Sequence, residues 1–305
     1  MMTEKELAKI RRAADGGDAN AQNQLATLYF KGDVGIAKDE KEALKWYRLA
    51  ADQGNVVAQQ SLGMMYYQGK GVPKNGPQAV KWFRMAAEKG SSHAQYNLGV
   101  IHDVGKLVPA DPKESLKWFR LAAEQGNAHA QSHLGMMYRK GKGLPKDDQK
   151  ALKWLRLAAE QGLAQAQFNL GLMFEAGEGA SKDSKSAVTW FRQAAVQGLA
   201  VAQYHLGMMY SEGKGVEKDD REAAKWCRLA AEQGNDVAQQ TLGSMFALGK
   251  GVQQDHVQAY MWMELAADQG NAFAIEQRGY LAEGMNPVQI AQAQSQARHW
   301  KPMVR

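Results

Sequence analysis

Histidine is the residue type in this sequence best suited to metal binding, and His129 and His133 lie four residues apart. On a helix this spacing places both imidazoles on one face. His93 lies 36 residues before His129, and because neighbouring helices pack about 8–10 Å apart, a third imidazole would approach the pair. Ala130 stands where the metalloprotease pattern H-E-x-x-H needs glutamate, which excludes that reaction. Two interpretations stay open: a simple metal site, or a polar patch on an exposed helix face.

Two other features have residue types that can carry chemistry. A phosphate-binding loop has the pattern G-x-x-x-x-G-K-[ST], in which the last residue supplies a hydroxyl group. In the run Gly141-Lys142-Gly143 a glycine stands at that last position, and helices are predicted on both sides. The run therefore predicts a helix end and a turn. Cys227 is the only cysteine of the chain, which excludes an internal disulfide and a multi-cysteine metal site. We interpret it as a small core residue. We therefore predict no catalytic residue and no cofactor.

A period of 36 residues accounts for most of these features. Tryptophan, a leucine–glycine pair and a further glycine each recur at this interval, which predicts a stacked array of similar units. Each unit contains the patterns of two helices, called here the A helix and the B helix. The recurring tryptophans are Trp46, Trp82, Trp118, Trp154, Trp190, Trp226 and Trp262.

The A helix is predicted from an apolar stripe with helical spacing. In one copy Ala58, Leu62, Met65 and Tyr66 fall at positions i, i+4, i+7 and i+8. Gly63 lies beside this stripe. Since an internal glycine costs a helix about 1 kcal/mol relative to alanine, its recurrence predicts a close approach of the next helix.

The B helix is predicted to begin at a recurring Asp or Asn that caps its first amides. Glu or Gln follows three residues later in most copies, as Glu42 follows Asp39, which predicts a reciprocal capping box. Trp82 then supplies a large core anchor. The capping residues are Asp39, Asn75, Asp111, Asp147, Asp183, Asp219 and Asp255.

The ends of the chain depart from the repeat. We predict an N-terminal capping helix in residues 1–18, seven repeats in residues 19–270, and a degenerate eighth repeat with a C-terminal capping helix in residues 271–305. The last helix is expected to begin at Asn286 and Pro287, because a capping Asn followed by Pro is a typical helix start. Solenoids need such atypical ends to cover the core of their terminal repeats.

The pattern A-Q-x-x-L-G-x-M-Y-x-x-G-x-G-V, followed by D-x-x-x-A-x-x-W-x-x-x-A-A-x-x-G, resembles the Sel1-like repeat family over residues 19–283. This family is related to the tetratricopeptide repeats. The resemblance implies an all-α fold, a right-handed α/α superhelical solenoid of 36-residue helix-turn-helix repeats. It also implies a protein that binds other proteins, as an adaptor, a host-facing factor or an inhibitor, with no catalytic residues to carry over.

Positions that vary between copies are free to specialise, and on the A helix they form a stripe away from the predicted core. The A helices of helix-pair solenoids line the concave side, so we predict that a partner binds there. The stripe combines histidines and aromatic residues with both signs of charge, as interface cores often do. The predicted partner-binding residues are His93, Tyr96, Asn97, His129, His133, Met136, Arg139, Phe168, Asn169, Glu175, Tyr204, His205 and Met208.

Charge and hydropathy argue against other partners. Lys81 and Arg84 recur on the B helices, but Glu88 and its equivalents follow one turn later, which favours a charge-paired face over a nucleic-acid surface. No stretch approaches the roughly 18 apolar residues of a membrane span, and the first residues lack the apolar core of a signal peptide. We expect a monomer, cytoplasmic as the sequence stands and periplasmic if a leader has been removed.

These patterns predict a non-enzymatic scaffold that binds a partner protein, such as a secreted effector or a signalling protein, in the groove of its A helices. A sharper alternative, implied by the resemblance, is a bacterial immunity protein that neutralises a secreted lipase effector of a type VI system. A different alternative is a metal-binding or metal-dependent protein that uses His93, His129 and His133. The loop of residues 103–113, with Leu107 in place of a recurring glycine, is either a partner contact or neutral variation.

Overall fold

The computed structural model describes residues 3–32 and 35–303. Within them the chain forms seventeen α-helices, which fall into an N-terminal unit, Met1–Lys146, and a C-terminal unit, Asp147–Arg305. The N-terminal unit contains α1 (Glu4–Asp15), α2 (Ala19–Lys31), α3 (Glu40–Asp52), α4 (Val56–Gln68), α5 (Gly76–Glu88), α6 (Ser92–Val104), α7 (Pro112–Glu124) and α8 (Ala128–Lys140). The C-terminal unit contains α9 (Asp148–Glu160), α10 (Ala164–Ala176), α11 (Ser184–Val196), α12 (Ala200–Glu212), α13 (Asp220–Glu232), α14 (Asp236–Leu248), α15 (His256–Asp268), α16 (Ala272–Glu283) and α17 (Pro287–His299).

The helices alternate as the repeat predicts. Within each unit the even-numbered helices are A helices, and the odd-numbered helices from α3 to α15 are B helices. Within each unit a B helix packs against the A helices of that unit that neighbour it in the chain, as α5 packs between α4 and α6. The predicted all-α solenoid of helix pairs is confirmed.

The apolar stripe of each A helix lies in the core. Ala58, Leu62 and Met65 are buried in α4. A Cβ atom on Gly63 would lie 2.8 Å from the Phe83 ring of the following B helix, well inside normal contact. The recurring glycine therefore lets an aromatic ring of the B helix pack directly on the A-helix backbone, as its position beside the stripe predicted.

The N-termini of the B helices are capped, but not by the reciprocal box that the sequence predicted. The Asp39 carboxylate accepts from the Lys41 and Glu42 amides at 2.9 and 3.0 Å, so the cap itself is present. The Asp39 amide, however, donates to the Tyr29 carbonyl oxygen of the preceding A helix at 2.8 Å, which leaves nothing for a glutamate to accept. Glutamates at the Glu42 position bond elsewhere, and Glu114 accepts from the indole Nε1 of Trp118 at 2.9 Å.

A buried glutamine fixes each A helix from α2 to α14 to the helix before it, a role that the sequence did not reveal. Gln59 is fully buried, and its Nε2 donates to the Ala51 carbonyl oxygen at the C-terminus of α3 at 3.0 Å. Because the last carbonyls of a helix have no partner within that helix, the glutamine satisfies a group that would otherwise be buried without a hydrogen bond. The same bond is made by Gln22, Gln95, Gln131, Gln167, Gln203 and Gln239.

The irregular loop between α6 and α7 has a structural explanation. In other repeats the second glycine of the loop contacts the first turn of the B helix one repeat earlier, as Gly71 contacts Glu40. In this loop Leu107 occupies the position of the second glycine. The B helix that it contacts begins with a glycine instead, Gly76, and a Cβ atom there would overlap the Leu107 carbonyl oxygen. The two substitutions compensate, which favours preserved packing over an adaptation to a partner.

The C-terminal unit ends in helices that differ from the repeat. On α16 the side chains of Phe273, Ile275 and Tyr280 are exposed. Helix α17 packs against α15, and its residues Ala293 and Ala297 join the core formed by the preceding repeats. Helix α17 begins with a reciprocal capping box. The cap predicted for residues 271–305 stays a prediction, and of these residues 304 and 305 lie outside the described residues.

Candidate protein-binding surface

The predicted partner-binding residues lie on four A helices, α6 and α8 in the N-terminal unit and α10 and α12 in the C-terminal unit. We call the outward positions of these helices the A surface of each unit. Most of the predicted residues are exposed or half-buried, but Phe168 and Asn169 are only 9% and 7% exposed. The expectation that these two side chains lie away from the core is therefore wrong.

In the N-terminal unit, the A surface contains an aromatic cluster around His133. Its imidazole stacks on the buried ring of Phe119, with ring centroids 4.9 Å apart and an interplanar angle of 12°. The Tyr96 ring lies 5.6 Å from both His129 and His133, and its hydroxyl lies 3.4 Å from His133 Nε2. His133 remains exposed at its edge while its face covers the core.

The C-terminal unit repeats this cluster 72 residues later in the sequence. His205 lies 5.3 Å from the buried Phe191 ring and 5.1 Å from Phe168. Phe168 replaces Tyr96 here, and its contacts with Phe191 and His205 explain its burial. Tyr204 packs edge-on against His205 at 5.7 Å. The sequence signal for the pair of clusters is the alternation of Asn and His before the leucine–glycine pair, at positions 97, 133, 169 and 205.

Burial keeps the two cluster histidines neutral near pH 7. It lowers the pKa of His133, with Asp103 opposing the shift and the positive charges of His129 and Lys142 adding to it. Burial also lowers the pKa of His205. A neutral imidazole can stack on an aromatic ring and still donate or accept one hydrogen bond, so both clusters offer mixed apolar and polar contact surfaces.

The three histidines considered for a metal do not form a ligand cluster. Within the described residues no group of three or more His, Cys, Asp or Glu side chains is placed to hold a metal ion. The ring of Tyr96 packs against both His129 and His133 and accounts for their arrangement. The metal-site alternative is therefore not supported by the geometry.

Cys227 is buried in the core, as the sequence predicted. Burial raises the pKa of its thiol to about 12. Because the thiolate is the reactive form, this thiol is inert at neutral pH.

Several lysines of the B helices are engaged with neighbours on their own helices. The ammonium groups of Lys81 and Lys117 lie 5.3 and 4.8 Å from the ring centroids of the adjacent tryptophans. Lys117 and Lys225 also pair with Glu114 and Glu222, three residues earlier, at 3.4 and 3.0 Å. These lysines therefore belong to local pairs, with the acidic partner before each lysine rather than one turn after it. In the part of the chain that the structure describes, no helix is long and apolar enough to cross a membrane.

Comparisons with known proteins agree on the repeat. The family model of the Sel1 repeat matches seven segments of the chain, at residues 19–55, 56–91, 92–127, 128–163, 164–199, 200–235 and 237–271. A search of the curated proteins finds no match.

Several solved structures resemble this chain. A protective antigen of uropathogenic Escherichia coli with the SLR fold is 37% identical over 95% of this chain, with a TM-score of 0.89. This chain spans 62% of that protein's length. A Sel1 repeat protein of Oxalobacter formigenes is 39% identical over 92% of this chain and 82% of its own, with a TM-score of 0.76. An immunity protein of Pseudomonas aeruginosa is 21% identical over 70% of this chain and 80% of its own, with a TM-score of 0.44.

Proposed function

We propose that this chain, which belongs to the Sel1 repeat family, is a non-enzymatic scaffold that binds a partner protein through its A surfaces. The observation that carries the proposal is the aromatic cluster around His133 and its copy around His205. Each cluster presents partly exposed rings on a base of buried phenylalanine. Rigid aromatic groups that are already packed lose little conformational entropy when they bind, which is what a binding hot spot requires.

The surroundings of each cluster also fit a protein interface. Tyr96 and Tyr204 are half-buried, and each has a hydroxyl at the end of an apolar ring. Met136 and Met208 are half-buried beside them, and the flexible thioether of methionine adapts to different contact shapes. Arg139 adds a planar charged group, and Arg is enriched at hot spots.

A binding role also fits the titratable groups better than catalysis does. A nucleophile needs a low pKa or an adjacent base, whereas burial raises the pKa of the Cys227 thiol. His133 stacks on the Phe119 ring, and His205 packs at a tilt against the Phe191 ring. In both clusters the imidazoles therefore act as parts of a packed surface.

The test is an affinity capture from the native organism with mass spectrometry, repeated with variants of each A surface. Tyr96→Ala with His133→Ala changes one unit, and Tyr204→Ala changes the other. Each hot-spot residue is expected to contribute about 2 kcal/mol, so a partner captured by the wild type is expected to be lost from the variant of the unit that it contacts.

The matched control is Lys81→Ala with Lys117→Ala on the B helices, which is expected to retain the partner. All variants must keep the circular-dichroism spectrum and melting temperature of the wild type. A partner that binds both A-surface variants with unchanged affinity, while the B-helix control loses it, would place the interface on the opposite face.

The sharper form of the proposal is that the partner is a secreted effector and that this chain is its immunity protein. That form comes from the resemblance and stays a prediction. Its test is to search the neighbouring genes for a toxin gene and to co-express the toxin with this protein. Wild-type protein is expected to restore growth, and an A-surface variant is expected not to restore it.

A further inference from the structure

The A helices α2, α4 and α6 of the N-terminal unit flank two open pockets at equivalent positions of consecutive repeats. One has a volume of about 180 Å³ and is lined by Tyr47, Ser61 and Met64. The other has a volume of about 90 Å³ and is lined by Met64, Phe83 and Asn97. Met64 is a wall of both pockets, so they are adjacent and separated by one side chain. Each has an aromatic ring of a B helix at its base.

His133 shows how the chain closes such a pocket. It occupies the position of Ser61 and Asn97 in the next repeat, and Phe119 occupies the position of Phe83. The imidazole stacks on Phe119 at 4.9 Å, whereas the smaller Asn97 leaves a pocket over the buried Phe83 ring. In these neighbouring repeats a small side chain at this position leaves a pocket, and the histidine fills the corresponding space.

A lysine of the glycine-lysine-glycine loop lies at the rim of this pocket position. The Lys70 ammonium lies 5.2 Å from the centroid of the Phe30 ring, and Phe30 lines the larger pocket. In the filled repeat the equivalent lysine, Lys142, forms an ion pair with Asp103 at 2.7 Å. The open pocket thus has a cation beside an aromatic ring, whereas the filled one has a cation already neutralised by a carboxylate.

The charge of the N-terminal unit points in the same direction. Residues 1–146 contain 22 Lys and Arg against 14 Asp and Glu. On α4, α6 and the loops that follow them, between 56 and 74 and between 92 and 110, the charged side chains are Lys70, Lys74, Asp103 and Lys106, and Asp103 is already paired. A partner with negative charge would find complementary charge around both open pockets.

From these observations we propose that the N-terminal unit binds an acidic, extended peptide segment that inserts two apolar side chains, one into each pocket beside Met64. This inference rests on the proposed function and names the partner chemistry for it. Carboxylates of the segment pair with Lys70, at the rim of the larger pocket, and with Lys106, which occupies the equivalent loop position 36 residues later.

The pocket dimensions support a peptide over a small molecule. Volumes of about 180 and 90 Å³ lie below the roughly 300–1,000 Å³ of sites for drug-sized ligands, and each suits one side chain. Neighbouring helices lie about 8–10 Å apart, which sets the spacing of the two pockets. A polyproline-type segment presents the same face every third residue, about 9 Å along the chain, so the two apolar residues are expected at positions i and i+3.

The decisive substitutions place a histidine in each open pocket, as His133 does in its own repeat, and the doubly substituted protein is called the plugged variant. Ser61→His and Asn97→His together are expected to place imidazoles over Tyr47 and Phe83, as His133 lies over Phe119. Both positions are half-buried on the helix surface, and His133 shows that the backbone accepts the ring. The matched control is Thr241→His, the same kind of substitution at the equivalent position of α14 in the C-terminal unit, which leaves both pockets beside Met64 unchanged.

The experiment selects random peptides displayed on phage against the full chain. Enriched peptides are then synthesised, and their affinity is measured by fluorescence anisotropy for the wild type, the plugged variant and Lys70→Glu with Lys106→Glu. We expect peptides with net negative charge and two bulky apolar residues three positions apart. Plugging and charge reversal should each weaken their binding by about tenfold or more, while Thr241→His should not weaken it. Circular dichroism checks that each variant is folded.

Three outcomes would overturn the inference. The first is enrichment of peptides that bind the plugged variant as tightly as the wild type. The second is a selection that yields no peptide dependent on the pockets. The third is tight binding of a labelled single-stranded RNA that charge reversal abolishes and plugging leaves unchanged, which would assign the cations to nucleic acid.

The inference and the proposed function fail in different ways. A native partner that is lost from Tyr96→Ala with His133→Ala but retained by the plugged variant would keep the scaffold function and remove the peptide inference. A chain that binds the acidic peptides through its pockets but captures no native protein through its A surfaces would leave the pockets as a peptide site without the scaffold role.

Discussion

The series of buried glutamines has one defect, at Gln59. In other repeats a glutamine at the end of the next B helix donates to the buried one, as Gln125 Nε2 donates to Gln95 Oε1 at 2.6 Å and Gln269 to Gln239 at 2.8 Å. At the equivalent position in α5's repeat the chain has Lys89. Its Nζ donates to the Gly54 carbonyl instead, at 2.8 Å. Among the described residues Gln59 Oε1 is therefore buried without a hydrogen-bond partner.

Replacing Lys89 with glutamine is expected to repair this defect. A buried acceptor without a partner costs about 1–3 kcal/mol, and a new hydrogen bond contributes about 0.5–1.5 kcal/mol. The lost bond from Lys89 to Gly54 is exposed to water and contributes little. We expect Lys89→Gln to stabilise the N-terminal unit by about 1 kcal/mol, which raises the melting temperature of a domain of this size by about 2–4 °C.

The assay is thermal and guanidinium unfolding at pH 7, with two matched variants. Lys89→Met removes the ammonium group but offers no amide, so it is expected to gain nothing. Gln125→Lys introduces the same mismatch opposite Gln95, and it is expected to destabilise the chain by about 1 kcal/mol. Equal unfolding free energies for Lys89→Gln and Lys89→Met would refute the role assigned to the Gln59 carbonyl oxygen.

Further predictions concern glycine, cysteine and histidine. Gly76→Ala should lower the melting temperature because the added Cβ atom would overlap the backbone of the loop at Leu107. Gly279→Ala places a Cβ atom in open space within a helix and should stabilise the chain by about 0.5–1 kcal/mol. Equal effects of the two substitutions in differential scanning calorimetry would contradict the close approach of Gly76 to the loop. Cys227 should react with a thiol reagent at pH 8 only after unfolding, and rapid labelling of the folded chain would show that it is not buried. The pKa values of His133 and His205, measured by NMR titration, should lie below the usual 6.5. Since the unfolded chain then binds protons first, stability should fall as the pH decreases through about 6.5, and His133→Asn with His205→Asn should reduce that fall.

Much of the fold could be predicted because its determinants are local and repeated. The spacing of Leu62, Met65 and Tyr66 defines a buried stripe without reference to any other helix. Gly63 indicated a close approach because a glycine inside a helix needs a reason. These features recur in seven copies, so chance variation in one copy does not hide them.

What could not be predicted depends on which groups meet between helices. The prediction of a reciprocal capping box was wrong because the Asp39 amide already donates a hydrogen bond to the Tyr29 carbonyl oxygen of another helix. Gly76 and Leu107 compensate for each other across 31 positions of the sequence, and neither alone shows the exchange. The burial of Phe168 follows from the rings that surround it, and the helical spacing of one A helix contains no information about those rings.

The position shared by Asn97 and His133 explains how a repeat can change its surface and keep its core. The side chain there lies at the boundary, with one face over a buried phenylalanine and one edge toward solvent. Because the backbone and the Phe83 or Phe119 ring beneath it stay the same, exchanging Asn for His alters the depth, charge and hydrogen bonding of the surface without moving a helix. Binding specificity in such a chain can therefore change one repeat at a time.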